Sequence, residues 1–260
     1  MDFLARDDAP LTEEQWAILD TVVTDTVKRF VVGRRFIPLY GPLGAGMPAV
    51  PTAKLFVGPD APVVDTGGGL LELAELSEDF AIGWKALETA DRLLIPVDWA
   101  VAAAAAYQLA IKEDSLVFAG LLGAQGRQSL KAGDWAVEGG LFGDVTKAIA
   151  GLVTAGHPGP YALAVSPNTH ASLYRFYGNG GVMEITMLED LMKAGVFVSP
   201  ALTDKQVIAV EVGALNMDLA VGLDVRTAYL GPADMTHPFR ILETLALRIK
   251  RPTAICVIGK

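Results

Sequence analysis

The sequence predicts an α+β fold, and three observations carry that expectation. A capped amphipathic helix opens the chain, a long alanine-rich helix occupies its middle, and strand patterns crowd its last quarter. Of 260 residues, 52% are hydrophobic and 20% charged, enough apolar material for a large core and too little charge for disorder. The 30 Asp+Glu against 21 Lys+Arg give a net charge of −9, which argues against nucleic-acid binding. Mean hydropathy is +0.38, high for a lone chain of ordinary length, so apolar surface is expected to be covered by partners or by a membrane. A membrane helix needs about 18 consecutive apolar residues. The richest stretch, Val97 to Ile111, carries Asp98 and Gln108 and reads as a buried helix. Met1 to Asp8 lacks the basic and apolar regions of a secretory signal, so a cytoplasmic protein is expected. One cysteine, Cys256, excludes an intrachain disulfide.

Thr12 with Gln15 three positions on forms a capping box, starting a helix expected to run to Val32 and to end at Gly33. Trp16, Leu19, Val23, Val27 and Phe30 make its apolar stripe, which must cover a surface built later in the chain or by another subunit. Breakers from Pro38 to Pro62 oppose helix. From about Ala49 to Ile82, the pieces Lys54 to Val57, Leu70 to Leu76 and Phe80 to Ile82 read as an extended two-stranded arm that should pair with a neighbour. A long helix follows, with Asp98 as its N-cap and Gly120 just past its end. Glu113 and Asp114 in its last two turns oppose the helix macrodipole and need a cation or backbone amides as partners. Helices are expected near Asp144 to Ala155, after Asn168 and near Ile185 to Lys193, with strand Tyr161 to Val165 and loop Tyr177 to Gly181 among them. Strands follow at Val196 to Val198, Gln206 to Val212, Asp218 to Val221, Arg226 to Leu230, Ile241 to Ile249 and Ala254 to Val257.

Catalytic signatures are thin. His157, His170 and His237 lack the spacing of a zinc helix, and no metal site is expected from them. There is no G-x-S-x-G elbow and no Walker A loop, and Gly41 to Gly46 reads as a turn. Val63-Val64-Asp65-Thr66-Gly67 matches the Asp-Thr-Gly pattern of aspartic proteases, whose chemistry needs two carboxylates sharing a proton. With no second such motif, only a symmetric dimer would supply the pair. Cys256 lies in an apolar run and reads as packing.

Met1-Asp2-Phe3-Leu4 with Arg6, Ala9-Pro10-Leu11-Thr12-Glu13-Glu14-Gln15-Trp16, Gly33-Arg34-Arg35-Phe36 and Gly41-Pro42 form one set of motifs. Glu113-Asp114, Gly159-Pro160-Tyr161, Gly195-Val196-Phe197, Gly222 with Asp224, and Leu242-Glu243-Thr244-Leu245 follow in order. In these residues, spread over nearly the full length, the chain resembles the encapsulins, bacterial and archaeal nanocompartment shell proteins related to the major capsid protein of tailed phages. That resemblance implies an HK97 phage-capsid-like fold. Residues 1–35 would form an inner-surface helix and 36–130 a peripheral domain with the extended loop (about 49–82) and spine helix (about 98–119). Residues 131–222 would form an axial domain, and 223–260 the return strands of the peripheral domain.

The implied function is a non-enzymatic shell subunit that self-assembles into an icosahedral compartment of sixty copies or a multiple of sixty. It would enclose a ferritin-like iron oxidase or a dye-decolourising peroxidase, captured through the cargo's C-terminal peptide, with neither nucleic acid nor membrane as partner. A phage or prophage capsid protein is the alternative. The cargo peptide is expected against Phe30, Val31, Arg34, Phe36 and Ile249, and Arg34→Ala or Phe36→Ala to preserve assembly while reducing captured cargo. Pro38 and Tyr40 stand where more polar or acidic residues are expected in relatives, so groove specificity should differ. Tyr177, Gly178, Asn179, Gly180 and Gly181 fall at the family's five-fold pore. No cofactor is required. Trp84 offers a flat ring for a flavin or, preferentially, for a subunit contact. An acidic shell would suit cationic metal traffic better than genome packaging.

Overall fold

The first helix shows how the sequence writes its own boundary. In the computed structural model, which describes residues 3–52, 54–57, 62–65, 68–178 and 181–259, α1 spans Glu13–Phe30. Thr12 Oγ1 accepts from the Gln15 amide at 3.2 Å while Gln15 Oε1 accepts from the Thr12 amide at 2.9 Å, so two otherwise orphaned donors are satisfied. The helix stops two residues before the expected Val32. The amides of Val32 and Gly33 turn instead to the Asp114 carboxylate, which competes with the next helical bonds. Trp16, Leu19, Val23 and Val27 are buried. Arg6 bonds both oxygens of Asp20 at 2.7 Å and lies 4.0 Å over the Trp16 ring, closing the outer side of the stripe.

That stripe packs on the long helix of residues 100–123 and, through Trp16, on a sheet of five strands. Its axis is β15 (Thr236–Ile249), paired antiparallel with β6 (Ala74–Gly83) along one side and with β14 (Arg226–Tyr229) and β13 (Met217–Val221) along the other. Strand β1 (Leu39–Tyr40) adds in parallel to β13. Phe239 of β15 is fully buried at the centre of an aromatic cluster. Trp16 meets it edge-on at 5.7 Å, Phe80 stacks at 5.2 Å and Tyr229 lies at 5.3 Å. The extended arm consists of β2 (Ala49–Pro51) paired with β5 (Leu70–Glu72) and β3 (Lys54–Val57) paired with β4 (Pro62–Asp65), two ladders separate from the larger sheets. Asp65 ends β4, while Thr66 and Gly67 of the Asp-Thr-Gly pattern lie outside the described residues.

Two helices depart from expectation. Helix α2 (Trp84–Leu93) was not anticipated; it buries only Ala90, so its sequence carries little core signal. The spine, α3, spans Ala100–Gly123 and runs through Gly120. The N-cap is Trp99, not Asp98, although Asp98 Oδ1, one residue earlier, accepts from the Ala100 amide at 2.9 Å. Gly120 is not a terminator but a point of close approach: a Cβ there would lie 2.8 Å from Leu247 Cδ2. Glu113 and Asp114 therefore sit well inside the helix, and burial, rather than the macrodipole, dictates their need for partners.

A second sheet has the order β11 (Gly195–Val198), β8 (Tyr161–Val165), β12 (Gln206–Glu211), β16 (Ile255–Gly259), β7 (Gln128–Leu130). Helices α4 (Gly140–Thr154) and α6 (Glu184–Leu191) bury Leu141, Val145, Leu152 and Leu188 against it. The short α5 (Pro167–Ser172) is capped by Ser166, which accepts from the Thr169 amide, not by Asn168. Strand β16 joins this sheet rather than returning with β15, because Ile255 to Ile258 are buried throughout and suit a central position. Between the sheets, Val117 and Phe118 of α3 share one core with Ala162, Ile208, Leu219, Leu245 and Ile255.

A buried polar hub closes the second sheet. His157 Nδ1 lies 2.8 Å from Glu211 Oε2 and its Nε2 lies 2.9 Å from Thr253 Oγ1. The Gly159 amide donates to Glu211 Oε1 at 2.9 Å, and Asn216 Nδ2 reaches Oε2 at 2.7 Å. Burial alone would raise the Glu211 carboxyl, but these bonds from Gly159, His157 and Asn216 outweigh it and hold the group below the usual carboxylate range. The native state therefore binds fewer protons than the unfolded chain here. The resulting stability is present above the unfolded carboxylate value and is lost as pH falls through the folded one. Glu211→Gln is expected to lower the urea midpoint at pH 7 and to narrow the loss seen as pH falls from about 5 to about 2. An unchanged acid loss would contradict this.

Candidate functional site

Four sequence motifs that lie far apart in the chain converge where α1 meets the spine. Arg34 sits on a 3-10 turn, Gly33–Arg35, that follows α1 and can approach α3 because Gly33 carries no side chain; a Cβ there would lie 3.0 Å from Val117 Cγ1. Its guanidinium is divided among three carboxylates. Nε donates to Glu113 Oε1 at 2.7 Å, Nη2 to Glu243 Oε2 at 2.6 Å and Nη1 to Asp224 Oδ1 at 2.8 Å. Glu113, on α3, and Glu243, on β15, are fully buried, whereas Asp224, just before β14, is half exposed. Asp114 completes the junction, accepting from the amides of Val32 and Gly33 at 2.9 Å.

The charges settle accordingly. Burial disfavours the Arg34 cation, but Glu113 and Glu243 outweigh it and hold the guanidinium more firmly protonated than usual. Burial pushes the Asp114 carboxyl up to about 6, partly opposed by the two backbone donors. Burial and the neighbouring Glu113 push Glu243 well above the usual range. The Asp224 carboxyl is opposed by burial but held below its usual value by Arg34.

The five residues predicted for peptide capture divide between surface and interior. Phe30 is part exposed and meets Tyr107 of α3 edge-on at 4.8 Å. Arg34 reaches the rim of a small cleft of about 110 Å³, lined also by Thr24, Val27, Lys28, Asp224 and Arg226. Val31 is buried in the core beneath α1, while Phe36 is buried in the core between the sheets, 5.1 Å from the Phe197 ring. Ile249, at the end of β15, packs half-buried against that second core. Arg34 is thus structurally committed, so Arg34→Ala is no longer expected to leave assembly untouched. Phe36→Ala would likewise open the core between the sheets. Tyr107 and the partners Glu113, Asp224 and Glu243 were not assigned to the site from sequence. Glu243 was visible as an acid inside the apolar run Ile241 to Ile249, and Glu113-Asp114 as acids inside a helix flanked by apolar residues.

The loop expected at a pore is pinned at its base. Strands β9 (Phe176–Tyr177) and β10 (Val182–Met183) pair as a hairpin, with Val182 opposite Tyr177. The Gly178 amide donates to the Glu138 carboxylate, and Arg175 Nε donates to the buried Glu184 at 3.0 Å. Tyr177 packs 6.0 Å from Phe142. Gly181 has φ +68°, a left-handed conformation that suits glycine; Asn179 and Gly180 lie outside the described residues. Trp84 opens α2, part exposed, with Lys85 Nζ 5.9 Å over its ring. A roomier cavity of about 810 Å³ beside β7, lined by Arg127, Lys131, Trp135 and Lys205 among others, contains none of the predicted site residues. Among the described residues no cluster of His, Cys, Asp and Glu could hold a metal ion, and no helix is long and apolar enough to cross a membrane.

Comparison with known proteins agrees with this architecture. Residues 1–246 match the family described as "Encapsulating protein for peroxidase". The chain is 39% identical to the Type 1 encapsulin shell protein EncA of Myxococcus xanthus, over 99% of this chain and 96% of that protein. Its fold is similar to that of a virus-like particle from Pyrococcus furiosus, with TM-score 0.84 at 22% identity, covering 95% of this chain and 100% of the other. The capsid of Myoviridae Phage XM1 matches with TM-score 0.63 at 14% identity, over 86% and 89%. At such identities the last two establish the HK97-type fold alone.

Proposed function

The chain belongs to the linocin-like encapsulin shell protein family, and from that premise we propose that it builds a closed icosahedral nanocompartment in the cytoplasm that encloses a cargo enzyme. The observation that carries this reading is the family match along residues 1–246 on a capsid-type fold. The subunit is a structural part and not the catalyst; the enzyme is the cargo. A peroxidase is the cargo class named in the family's description, and a ferritin-like iron oxidase is the other class considered. Sixty copies, or a multiple of sixty, close such a shell.

The cargo's C-terminal peptide docks where α1 meets the sheet of β15. Phe30 offers an exposed apolar contact, Lys28 and Arg226 line the cleft with Arg34, and Val31, Phe36 and Ile249 shape the surface from beneath. Phe30→Ala tests this, because Phe30 lies at the end of α1 and only part of its ring is buried. With cargo co-expressed, it is expected to leave particles intact and to weaken cargo capture about tenfold, the effect of removing one aromatic contact worth about 1–2 kcal/mol. Unchanged cargo per particle would remove this docking site. The hairpin of β9 and β10 carries the Tyr177 to Gly181 segment to the five-fold aperture, and Glu138 and Glu184 anchor Gly178 and Arg175 at its base.

The second reading, a phage-type capsid, draws on the likeness to the phage fold. The net charge of −9 weighs against it, since a genome would meet repulsion inside. Nucleic acid in nuclease-treated particles would favour the capsid.

A further inference from the structure

Arg34 supplies one positive charge to three carboxylates, two of them fully buried. Each glutamate gives one oxygen to Arg34. The other oxygens, Glu113 Oε2 and Glu243 Oε1, are buried and accept from no donor among the described residues. The two carboxyl groups share one guanidinium, Glu113 at Nε (2.7 Å) and Glu243 at Nη2 (2.6 Å), and Glu113 acts directly on the Glu243 carboxyl. Two buried acceptors on carboxyl groups that share one guanidinium, neither with a donor, are strongly unfavourable, and the smallest group that could satisfy both is a hydrogen ion.

We propose that Glu113 and Glu243 hold one proton between them, and that this shared proton lets Arg34 keep the end of α1 clasped to the spine and to β15. The two glutamates are then positioning residues for the docking cleft, acting through Arg34. Loss of the proton sets two buried carboxylates, one on α3 and one on β15, against each other with a single cation between them, and their repulsion strains the junction on which the Arg34 turn rests.

The groups around the pair fix the direction of the pH response. Arg34 faces it from the 3-10 turn and Asp224 from the segment before β14. Asp114 lies next to Glu113 on the spine, Arg35 acts on Asp114, and Arg226 acts on Asp224. Lys28 of α1 lines the adjoining cleft. Asp114 titrates at about 6, so above pH 7 it is ionised, while the Glu243 carboxyl is held well above its usual range. A carboxyl raised in the folded state contributes stability that is complete below the unfolded carboxylate value and is lost as pH rises through the folded value. The clasp therefore loosens on the alkaline side.

The effect on the cargo cleft rests on the shell reading; the proton does not. Infrared difference spectra of the assembled protein at pH 8 are expected to show a protonated-carboxyl band that is absent from Glu243→Gln. Amide-exchange protection of Val32 and Gly33 in the wild type is expected to fall about tenfold for each unit that pH rises above the pair's titration. In Glu243→Gln, whose side chain stays neutral and can donate to Glu113, that fall should vanish. Cargo-peptide affinity should follow the same two profiles. No protonated-carboxyl band in the wild type, or a variant that keeps the wild-type pH profile, would overturn the proposal. Should Glu243→Gln fail to fold, the wild-type band still decides. Particles that form and capture cargo without the band refute the proton and not the shell; the band in a chain that never assembles does the reverse.

Discussion

Arg34→Ala is expected to destabilise the chain by about 3–5 kcal/mol, the usual cost of leaving buried charge without its partner. Three carboxylates lose their common cation at once, and Glu113 and Glu243, both fully buried, have no water to replace it. The effect should reach assembly, because Arg34 fixes the turn that joins α1 to the spine. Lower thermal midpoints and poor recovery of particles in size-exclusion would register it. Arg34→Lys keeps the charge but cannot fork to three acceptors, so it should recover only part of the loss. Adding Glu113→Gln and Glu243→Gln to Arg34→Ala should restore part of the stability by removing the orphaned charge. Arg34→Ala at wild-type stability would show that the clasp contributes nothing to the fold.

Phe239→Ala is expected to cost a similar amount, about 3–5 kcal/mol, for a different reason. The ring is fully buried and is touched by Trp16 of α1, Phe80 of β6 and Tyr229 of β14, so its loss leaves a cavity under α1 that three separate elements would have to close. The next residue is the internal control. Arg240 points the other way from β15, pairs with Asp79 at 2.7 Å on the surface, and both partners are substantially exposed. Arg240→Ala should therefore cost less than about 1 kcal/mol. Equal effects from the two substitutions, measured by chemical denaturation, would mean that the packing beneath α1 does not govern stability.

What the sequence disclosed follows from the range of each signal. The Thr12–Gln15 capping box and the stripe of α1 are local; the box stands as read and so do Trp16, Leu19, Val23 and Val27, while Phe30 at the end of the stripe is exposed. Strand Tyr161–Val165 was legible from five apolar residues between breakers, and all five are buried. The need of Glu113 and Asp114 for a cation and backbone amides was legible as well. Which cation and which amides was not, since Arg34 lies 79 positions from Glu113 and the amides of residues 32 and 33 lie a similar distance from Asp114. Gly120 misled because a glycine near a helix end ordinarily terminates it, whereas here it makes room for Leu247. Helix α2 escaped because it lies on the surface with one buried residue. Strand β16 was grouped with β15 among the return strands of residues 223–260, and only the pairing with β12 and β7 assigns it to the other sheet.

The apolar surplus that stood out at the start is partly accounted for within one chain and partly not. Trp16 to Val27 is covered by the spine and the sheet, yet Leu93, Leu94 and Ile95 at the end of α2, and Leu70 in the arm, stay exposed. In the proposed shell these surfaces are expected to meet neighbouring copies. The most direct measurement is therefore of particle size: the purified chain at micromolar concentration, run by size-exclusion and imaged by negative stain. Closed particles of uniform diameter, with a mass of sixty subunits or a multiple of sixty, are the predicted result. A monomer or dimer under the same conditions would contradict the account.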